Sequence, residues 1–213
     1  MSGAATENPS VTTLRARFGA SVGRSAVLCG DTIVHVARDP AHQILAWLRD
    51  APDERYDYLV DVTAVEYRDR ERPLEVVYQL RSLARNAQLR VKIELPRKDD
   101  LEVDSVVDLW NGANWLEREV YDLFGVRFRG HPDLRRIMMP ENYAEGHPLR
   151  KDFPLRGRFS RAEQTRRALS MDTEDFYSPQ ELVFMQPEDE VGELPGRGSP
   201  PGAGRTELEG GQA

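Results

Sequence analysis

The middle of the chain alternates hydrophobic and polar residues with the two-residue period of a β-strand. In residues 89–95 every second position is leucine, valine or isoleucine, and the positions between them are charged. One face of such a strand is buried and the other meets water. Residues 58–67 and 74–80 are rich in β-branched and other apolar residues and predict two further strands of the same sheet.

The preceding segment predicts a hairpin followed by a helix. Residues 25–37 contain two short apolar runs joined by Gly30 and Asp31, which favours a tight turn between strands. Asp39 is then predicted to cap a helix whose first residue is Pro40. The apolar stripe of that helix consists of Ile44, Leu45, Trp47 and Leu48.

Two short helices are predicted between residues 105 and 125. The first is expected to begin at Ser105. The second is expected to begin with the capping pair Asn114 and Glu117 and to end at Gly125, in the left-handed conformation that stops helices. Its apolar face consists of Leu116, Val120, Leu123 and Phe124.

Beyond residue 125 prolines and glycines recur at short intervals, so no long helix or strand fits. Residues 160–169 are an exception and read as a polar helical stretch. The predicted class is α+β, with a mixed or antiparallel sheet covered by helices and followed by an extended irregular C-terminal arm. The predicted segments are a loose N-terminus (1–10), the α+β domain (11–125), an extended partner-binding arm (126–186) and a disordered acidic tail (187–213).

Charge is divided unevenly along the chain, whose formal net charge is −7. Residues 118–158 contain nine basic and six acidic residues, a net of +3, whereas residues 172–213 contain two basic and ten acidic residues, a net of −8. A general nucleic-acid binder needs a positive face. The distribution therefore favours contact with other proteins over contact with nucleic acid or a membrane surface.

The single cysteine, Cys29, limits the chemistry open to the chain. One thiol cannot form an intramolecular disulfide or hold an iron–sulfur cluster by itself. Because it ends an apolar run, we expect a buried small hydrophobic residue rather than a reactive nucleophile. No secretory signal and no run near the ~18 apolar residues of a membrane helix is visible, so a soluble cytoplasmic chain is expected.

His131 and His147 each lie in a Gly-His-Pro tripeptide and are candidate metal ligands, with Asp133 or Glu145 as a carboxylate partner. A metal site needs three or four donors that converge at ~2 Å from the ion. The two histidines are sixteen residues apart and lack the spacing of a helical pair. We therefore favour histidines that stabilise turns by donating to backbone carbonyls.

Glu117, Glu119 and Asp122 are candidate acid–base groups, but a structural role explains them better. Carboxylates three residues apart on a helix repel unless a cation lies between them. We predict a network of arginine–carboxylate pairs that locks the following arm to this helix. The candidate arginines are Arg118, Arg127, Arg135 and Arg136.

Other catalytic signatures are missing from the sequence. There is no Gly-x-Gly-x-x-Gly or phosphate-binding loop and no Gly-x-Ser-x-Gly nucleophile elbow. Four aromatic residues can stack a quinone or a base, but their helical spacing is more typical of a core or an interface. They are Trp110, Trp115, Tyr121 and Phe124.

Three segments closely resemble the motifs of one protein family, the C subunit (30 kDa subunit) of the bacterial NADH-quinone oxidoreductase. This enzyme is respiratory complex I. The three segments are residues 115–125, 130–140 and 146–155. Residues 61–63 and the hairpin over 76–95 resemble that family in order and spacing. The matching motif residues, which the resemblance places at subunit contacts, are Trp115, Glu117, Arg118, Glu119, Tyr121, Asp122, Phe124, Gly125, Gly130, His131, Pro132, Asp133, Arg135, Arg136, Met139, Pro140, Gly146, His147, Pro148, Arg150, Lys151, Asp152 and Pro154.

The resemblance implies a peripheral-arm subunit with no redox centre, no metal and no catalytic residue of its own. It implies binding to the D and B subunits of the complex, which form the quinone pocket, so that quinone is met only through the complex. The flavin mononucleotide and the iron–sulfur clusters would be carried by other subunits. The implied location is the cytoplasmic side of the bacterial inner membrane, without a membrane span in this chain.

Two alternatives remain open at this point. The first is the equivalent subunit of a membrane-bound hydrogenase or of a related quinone-reducing complex, which shares the core motif. The second belongs to a different class and is a stand-alone metallohydrolase that uses His131, His147 and Glu145.

Overall fold

A five-stranded mixed sheet is the centre of the computed structural model, which describes residues 7–68, 70–96, 101–141, 143–155, 163 and 166. Its strands are β1 (Val22–Leu28), β2 (Asp31–Val36), β3 (Tyr58–Glu66), β4 (Leu74–Ser82) and β5 (Ala87–Leu95). They lie in the order β1-β2-β5-β4-β3. The β2–β5 pair is parallel and the other pairs are antiparallel.

Three helices and a small second sheet complete the described structure. The helices are α1 (Pro9–Phe18), α2 (Ala41–Asp50) and α3 (Ala113–Phe124), and a single 3-10 turn spans Gly19–Ser21. Strands β6 (Glu102–Asp104) and β7 (Arg127–Arg129) pair in parallel. The predicted α+β class with a mixed sheet covered by helices is confirmed.

One buried cluster joins the helices to the sheet. The alternation predicted for β5 is confirmed, because Leu89, Val91, Ile93 and Leu95 are all buried. They pack with inward residues of the neighbouring strands and with apolar residues of all three helices. The helical members include Val11, Leu14, Ile44, Leu45, Leu48, Ala113, Val120 and Phe124. This burial is the main stabilising contribution to the fold.

The N-terminal helix begins earlier than the sequence predicts. Helix α1 starts at Pro9 and is capped by the side chain of Asn8, which accepts a hydrogen bond from the Ser10 amide at 3.0 Å. Asn8 also donates to the hydroxyl of Tyr56 at 2.8 Å. The prediction of a loose segment up to residue 10 is therefore wrong for residues 7–10, while residues 1–6 lie outside the described residues.

The hairpin is confirmed, but its turn is shifted by one residue. Leu28 pairs with Asp31, so the two turn residues are Cys29 and Gly30, with φ values of 53° and 91°. Two positive φ angles are typical of the type I′ hairpin turn. Cys29 is exposed at this turn, so the expectation that it is buried was wrong. Tight turns place their side chains toward solvent, and this outweighs the apolar run before Cys29.

Two predicted helix starts are also corrected. The residue that precedes α2 is Pro40, and no side chain caps this helix, so Asp39 is not its cap. Residues 105–112 form hydrogen-bonded turns rather than a helix. The hydroxyl of Ser105 does accept a hydrogen bond from the Val107 amide at 3.3 Å, which satisfies one donor of these turns.

The compact domain continues past residue 125, where the arm was predicted to begin. Val126 and Phe128 are buried, and β7 pairs with β6. From residue 130 to residue 155 the described chain contains no helix or strand, in agreement with an irregular arm. Nearly all of the arm's predicted continuation to residue 186 lies outside the described residues, as do the acidic tail and, apart from residues 163 and 166, the predicted helical stretch 160–169.

No helix in the described part of the chain combines the length and the apolar character that a membrane crossing requires.

Candidate functional site: the arm anchored on helix α3

The carboxylate of Asp122 organises the start of the arm. Asp122 is fully buried near the end of α3, and its Oδ2 accepts hydrogen bonds from the amides of Ile137, Met138 and Met139 at 3.1, 2.8 and 2.7 Å. Its Oδ1 pairs with Arg136 at 2.6 Å. Three consecutive amides on one carboxylate oxygen, each a charge-assisted hydrogen bond, fix the backbone at the start of the arm.

The protonation of Asp122 follows from these contacts. Burial alone would favour the neutral acid, but the hydrogen bond from Met139, the pair with Arg136 and the bonds from Ile137 and Met138 all favour the anion. Together they hold the pKa of Asp122 below its usual range. The buried charge is therefore compensated at neutral pH.

Two arginines connect the arm to α3 through carbonyl groups as well. Arg136 also donates to the carbonyls of Asp122 at 3.2 Å and Gly146 at 3.1 Å, so it joins two parts of the arm. Arg118 lies earlier on α3 and donates to the carbonyls of Arg135 and Arg136 at 3.2 and 3.1 Å. The planar guanidinium suits such multiple bonding.

The two Gly-His-Pro histidines lie far apart and serve different turns. His131 Nε2 donates to the carbonyl of Asn114 at 3.1 Å, and His147 Nδ1 donates to the carbonyl of Asp122 at 2.9 Å. Those carbonyls are eight residues apart on one helix, about 12 Å along its axis. The preferred interpretation as turn histidines is confirmed. The proposed ligand set of His131, His147 and Glu145 does not come together around one point.

Gly125 is required for a second reason besides ending α3. Its φ of 80° is the left-handed conformation that the sequence predicted. A Cβ atom at this position would also lie 2.6 Å from Cδ2 of His147. The imidazole of His147 therefore packs directly on the glycine, and this contact brings the second Gly-His-Pro turn onto the helix end.

A second anchor of the arm lies on the sheet and was not predicted from the sequence. Glu66, the last residue of β3, is buried and accepts a hydrogen bond from the Lys151 amide at 2.7 Å. Its Oε2 is 3.6 Å from Nε of Arg150. The sequence contains a signal for this contact, because Glu66 occupies an inward position of the strand in alternation with Val62 and Ala64. An inward acid in a strand calls for a partner.

Glu117 has a different environment and is not the helix cap that its spacing from Asn114 predicted. No side chain caps α3, whose preceding residue is Gly112. The carboxylate of Glu117 is fully buried and accepts hydrogen bonds from the Ser105 hydroxyl and the Val106 amide, each at 2.7 Å. It therefore fastens the loop before α3 rather than the helix start.

The pKa of Glu117 is set mainly by its burial. Burial raises the pKa to about 7, although the hydrogen bonds from Val106 and Ser105 lower it. Asp108 raises it further and His42 lowers it, both through charge. Glu117 is thus the unusual carboxylate of the motif, since it titrates near neutrality.

The predicted arginine–carboxylate network is only partly correct. Asp122 and Arg136 form one pair of the predicted kind, and Arg118 holds the arm through carbonyls instead of carboxylates. Arg135 pairs with Asp133 within the arm at 2.9 Å. Glu119 and Arg127 are not part of the buried pairing around Asp122. The buried pair of Asp122 and Arg136, together with the backbone amides bound to Asp122, therefore holds the arm that several ion pairs were expected to hold.

The arm turns apolar side chains outward while its backbone is held by α3. Ile137, Met138 and Leu149 are 38%, 62% and 49% exposed. Trp115, on the exposed side of α3, is 58% exposed. Met139 and Phe153 are half-buried, so they contribute less to this surface. Exposed apolar residues grouped beside a rigid polar scaffold are typical of a protein interface.

The 23 motif residues differ widely in exposure. Glu117, Asp122 and Phe124 are buried. The residues that hold the arm, Arg118 and Arg136 among them, are half-buried, whereas Trp115 is exposed. The buried and half-buried motif residues therefore fix the arm, whereas the exposed motif residues remain accessible.

A cluster elsewhere on the sheet has the spacing of a metal site. Among the described residues, ligand atoms of His35, Glu75 and Glu94 lie within 4.8 Å of one another. The β4–β5 register sets Glu75 opposite Glu94. Three side chains already pair with these carboxylates at 2.5 to 2.7 Å, and they are Arg24, Arg70 and Lys92. An incoming cation would have to displace them, so we describe the cluster as an ion-pair network.

Comparison with known families identifies the motif. The family model described as respiratory-chain NADH dehydrogenase, 30 kDa subunit, matches residues 34–159. The C subunit of the NADH-quinone oxidoreductase of Geobacter sulfurreducens is 44% identical over 154 residues, which cover 72% of this chain and 93% of the relative. The protein of the same name from Erythrobacter litoralis is 41% identical over 194 residues, covering 86% and 76%.

Solved structures agree with the fold. A trypsin-resistant fragment of Nqo5 superposes with a TM-score of 0.52 at 30% identity, covering 59% of this chain and 97% of the fragment. A chain of the membrane-bound sulfane sulfur reductase, an archaeal respiratory membrane complex, superposes with a TM-score of 0.51. At 21% identity, over 81% of this chain and 96% of that one, it shows a shared fold only.

Proposed function

The chain belongs to the family of the respiratory-chain NADH dehydrogenase 30 kDa subunit, and we propose that it is a structural subunit of an NADH–quinone oxidoreductase whose arm binds neighbouring subunits. The observation that carries this proposal is the anchoring of residues 136–139 on Asp122. This anchoring fixes the backbone and leaves side chains free to contact a partner.

The energetics support a binding role for the arm. Burial of an exposed Ile, Met or Leu side chain contributes roughly 1.5–3 kcal/mol before the costs of association. Ile137, Met138 and Leu149 are exposed apolar side chains of the kind found at the centre of an interface. Because Asp122 and Arg136 hold the arm in place beforehand, little ordering entropy is lost on binding.

We assign the partners by the family resemblance. The D and B subunits of the complex, which form the quinone pocket, are the proposed neighbours, and the arm stabilises them so that electrons pass from NADH to quinone with proton translocation. The chain itself is proposed to hold no flavin, metal or cluster, which fits its single cysteine. The proposed location is the cytoplasmic side of the bacterial inner membrane.

Replacement of Met138 by glutamate tests this function. Met138 is the most exposed apolar side chain among Ile137, Met138 and Leu149, and its side chain is not needed for the amide bond to Asp122. A carboxylate there would be desolvated at the interface. Tagged full-length chain is expressed in cells that lack their own copy, and the complex is purified from solubilised membranes. We expect about tenfold lower recovery of cluster-bearing subunits, as a loss of about 1.4 kcal/mol predicts.

Leu28→Glu is the matched control, since Leu28 is 60% exposed on the hairpin far along the chain from the arm. It should leave recovery unchanged. Both variants should unfold like the wild type in the isolated state. Normal recovery of the complex with Met138→Glu, combined with lost electron transfer, would instead point to a direct role of this chain in the reaction.

A further inference from the structure

The two edges of the main sheet differ in how they are protected. At one edge, β1 carries Gly23 and the exposed side chain of Arg24, and its pairing with β2 shifts register between Val22 and Ser25. Register shifts and charged side chains are the usual means by which a protein prevents strand addition. This edge is therefore closed to a new strand.

The edge formed by β3 is less protected over most of its length. Strand β3 spans nine residues and pairs with β4 on one side, and no described strand pairs with it on the other. A register shift occurs only near its start, between Leu59 and Asp61. From Asp61 to Glu66 the pairing runs without a break. A regular segment of six residues thus presents an unpaired row of backbone donors and acceptors.

The side chains along this edge are apolar and acidic. Tyr58, Val60 and Val65 are 52%, 45% and 37% exposed. Residues 56–67 contain no lysine or arginine, whereas they contain three carboxylates. The carboxylates are Asp57, Asp61 and Glu66, of which the first two are exposed. The edge therefore carries exposed negative charge, and its outer row of backbone donors and acceptors is not paired with a described strand.

We propose that the β3 edge receives an extended strand from another protein chain, and that this strand is rich in β-branched residues and carries lysine or arginine. Backbone hydrogen bonds would supply affinity, and the alternating exposed positions Asp61, Thr63 and Val65 would supply specificity. Basic side chains on the incoming strand would lie opposite the exposed carboxylates.

Charge argues against the other occupants. A second copy of this chain would bring the same exposed carboxylates, Asp57 and Asp61, to the shared edge, and like charges brought together across strands are unfavourable. Residues 172–213 carry a net charge of −8 and would be repelled in the same way. Residues 156–171 are basic, and the crosslinking test below distinguishes them from another chain.

The edge lies next to the arm. The last residue of β3, Glu66, is the residue that binds the Lys151 amide and pairs with Arg150. The arm surface and the β3 edge therefore adjoin at this point, so a complex assembled on the arm brings other chains close to the edge. The proposal adds a second contact to the proposed function without depending on Met138.

Site-specific photo-crosslinking in the assembled complex tests the proposal. A benzophenone amino acid is placed at Thr63, which is exposed at the middle of the regular segment, and in a second strain at Leu28. We expect Thr63 to crosslink to an extended, basic peptide of a different subunit. Crosslinks to residues 156–213 of the same chain, crosslinks to a second copy, or none at all would each overturn the proposal.

Charge reversal at the edge gives an independent measurement. Asp61→Lys should lower the yield of that crosslink about tenfold, because it places a cation against a basic strand, while Asp61→Asn should have a smaller effect. Leu28→Lys is the control and should leave the yield unchanged. An unaltered yield with Asp61→Lys would refute the charge argument. If Met138→Glu assembles normally while Thr63 crosslinks as expected, the arm assignment fails and the edge assignment stands.

Discussion

The two ends of helix α3 carry one buried carboxylate each, and the pKa values of the two carboxylates are shifted in opposite directions. Asp122 near the C-terminal end meets Arg136 and three backbone amides, and its pKa lies below the usual range. Glu117 near the N-terminal end meets a hydroxyl and one amide, and its pKa is raised to about 7. Both have no exposed surface, so depth of burial does not explain the difference.

The difference follows from what each carboxylate holds. Asp122 binds an irregular segment that has no ladder of its own, so several donors and a cation are needed to fix it. Glu117 binds a loop that is already joined to the core through Val106 and Trp110, and two neutral donors suffice there. The carboxylate paired with a cation is therefore the one that fixes the arm, whereas the carboxylate with neutral donors fixes the loop before α3.

The strongest test of this contrast is Asp122→Ala. The substitution removes an ion pair and three amide bonds, and it leaves the 14% exposed Arg136 side chain without its counter-ion. Loss of one partner of a buried pair costs about 3–5 kcal/mol. We expect a fall of this size in the free energy of unfolding, measured by urea denaturation, with faster amide exchange at residues 137–139. Glu141→Ala, an exposed carboxylate in the arm, should change stability by no more than about 0.5 kcal/mol.

The second test uses pH and concerns Glu117. Its folded-state pKa of about 7 lies above the ordinary value of 4.5, so the folded protein holds this proton more tightly than the unfolded chain does. The stabilisation is complete below pH 4.5 and is lost as the pH rises through about 7. The loss amounts to about 3 kcal/mol at most, by the free-energy equivalent of the pKa difference.

Glu117→Gln should remove this pH dependence. The amide oxygen can still accept from Val106, and the amide nitrogen can donate to the Ser105 hydroxyl. Urea unfolding between about pH 4 and pH 9 should show the wild type losing stability relative to the variant, most steeply between pH 4.5 and about 7, with the loss levelling off at higher pH. A constant difference across that range would mean that Glu117 is not the titrating group. Asp122→Asn should not reproduce the effect, because the pKa of Asp122 is shifted in the opposite direction.

The hydrophobic pattern was sufficient to predict most of the sheet. β3, β4 and β5 were predicted because their apolar period is set by local geometry, and Gly125 was predicted because a helix stop needs a left-handed residue. Contacts between distant segments were harder to predict. Glu117 follows Asn114 by three residues, which is the spacing of a capping pair, but its partners are Ser105 and Val106.

The candidate site shows the same division. The motif indicated correctly that polar contacts fix the arm, and it indicated Asp122 and Arg136 among the participants. It gave no indication that one carboxylate would hold three consecutive amides, because backbone donors carry no sequence signal. Glu66 lies 85 residues from its partner Lys151, so only the folded chain brings the two together.

The smallest expected effect compares a glycine at each end of α3. Gly125→Ala places a Cβ atom on a residue with φ of 80° and 2.6 Å from His147, which we expect to cost about 1–3 kcal/mol through backbone strain and displacement of the imidazole. Gly112→Ala is the matched control, since its φ is −62° and open space surrounds its Cβ direction. Thermal unfolding of both should show a lower Tm for Gly125→Ala alone. Amide exchange should quicken at residues 146–150 in that variant, because the ring that holds this turn is pushed off the helix end. Equal Tm values for the two variants would show that His147 does not depend on the bare backbone of Gly125, and the C-terminal end of α3 would then resemble the N-terminal end more closely than its contacts indicate.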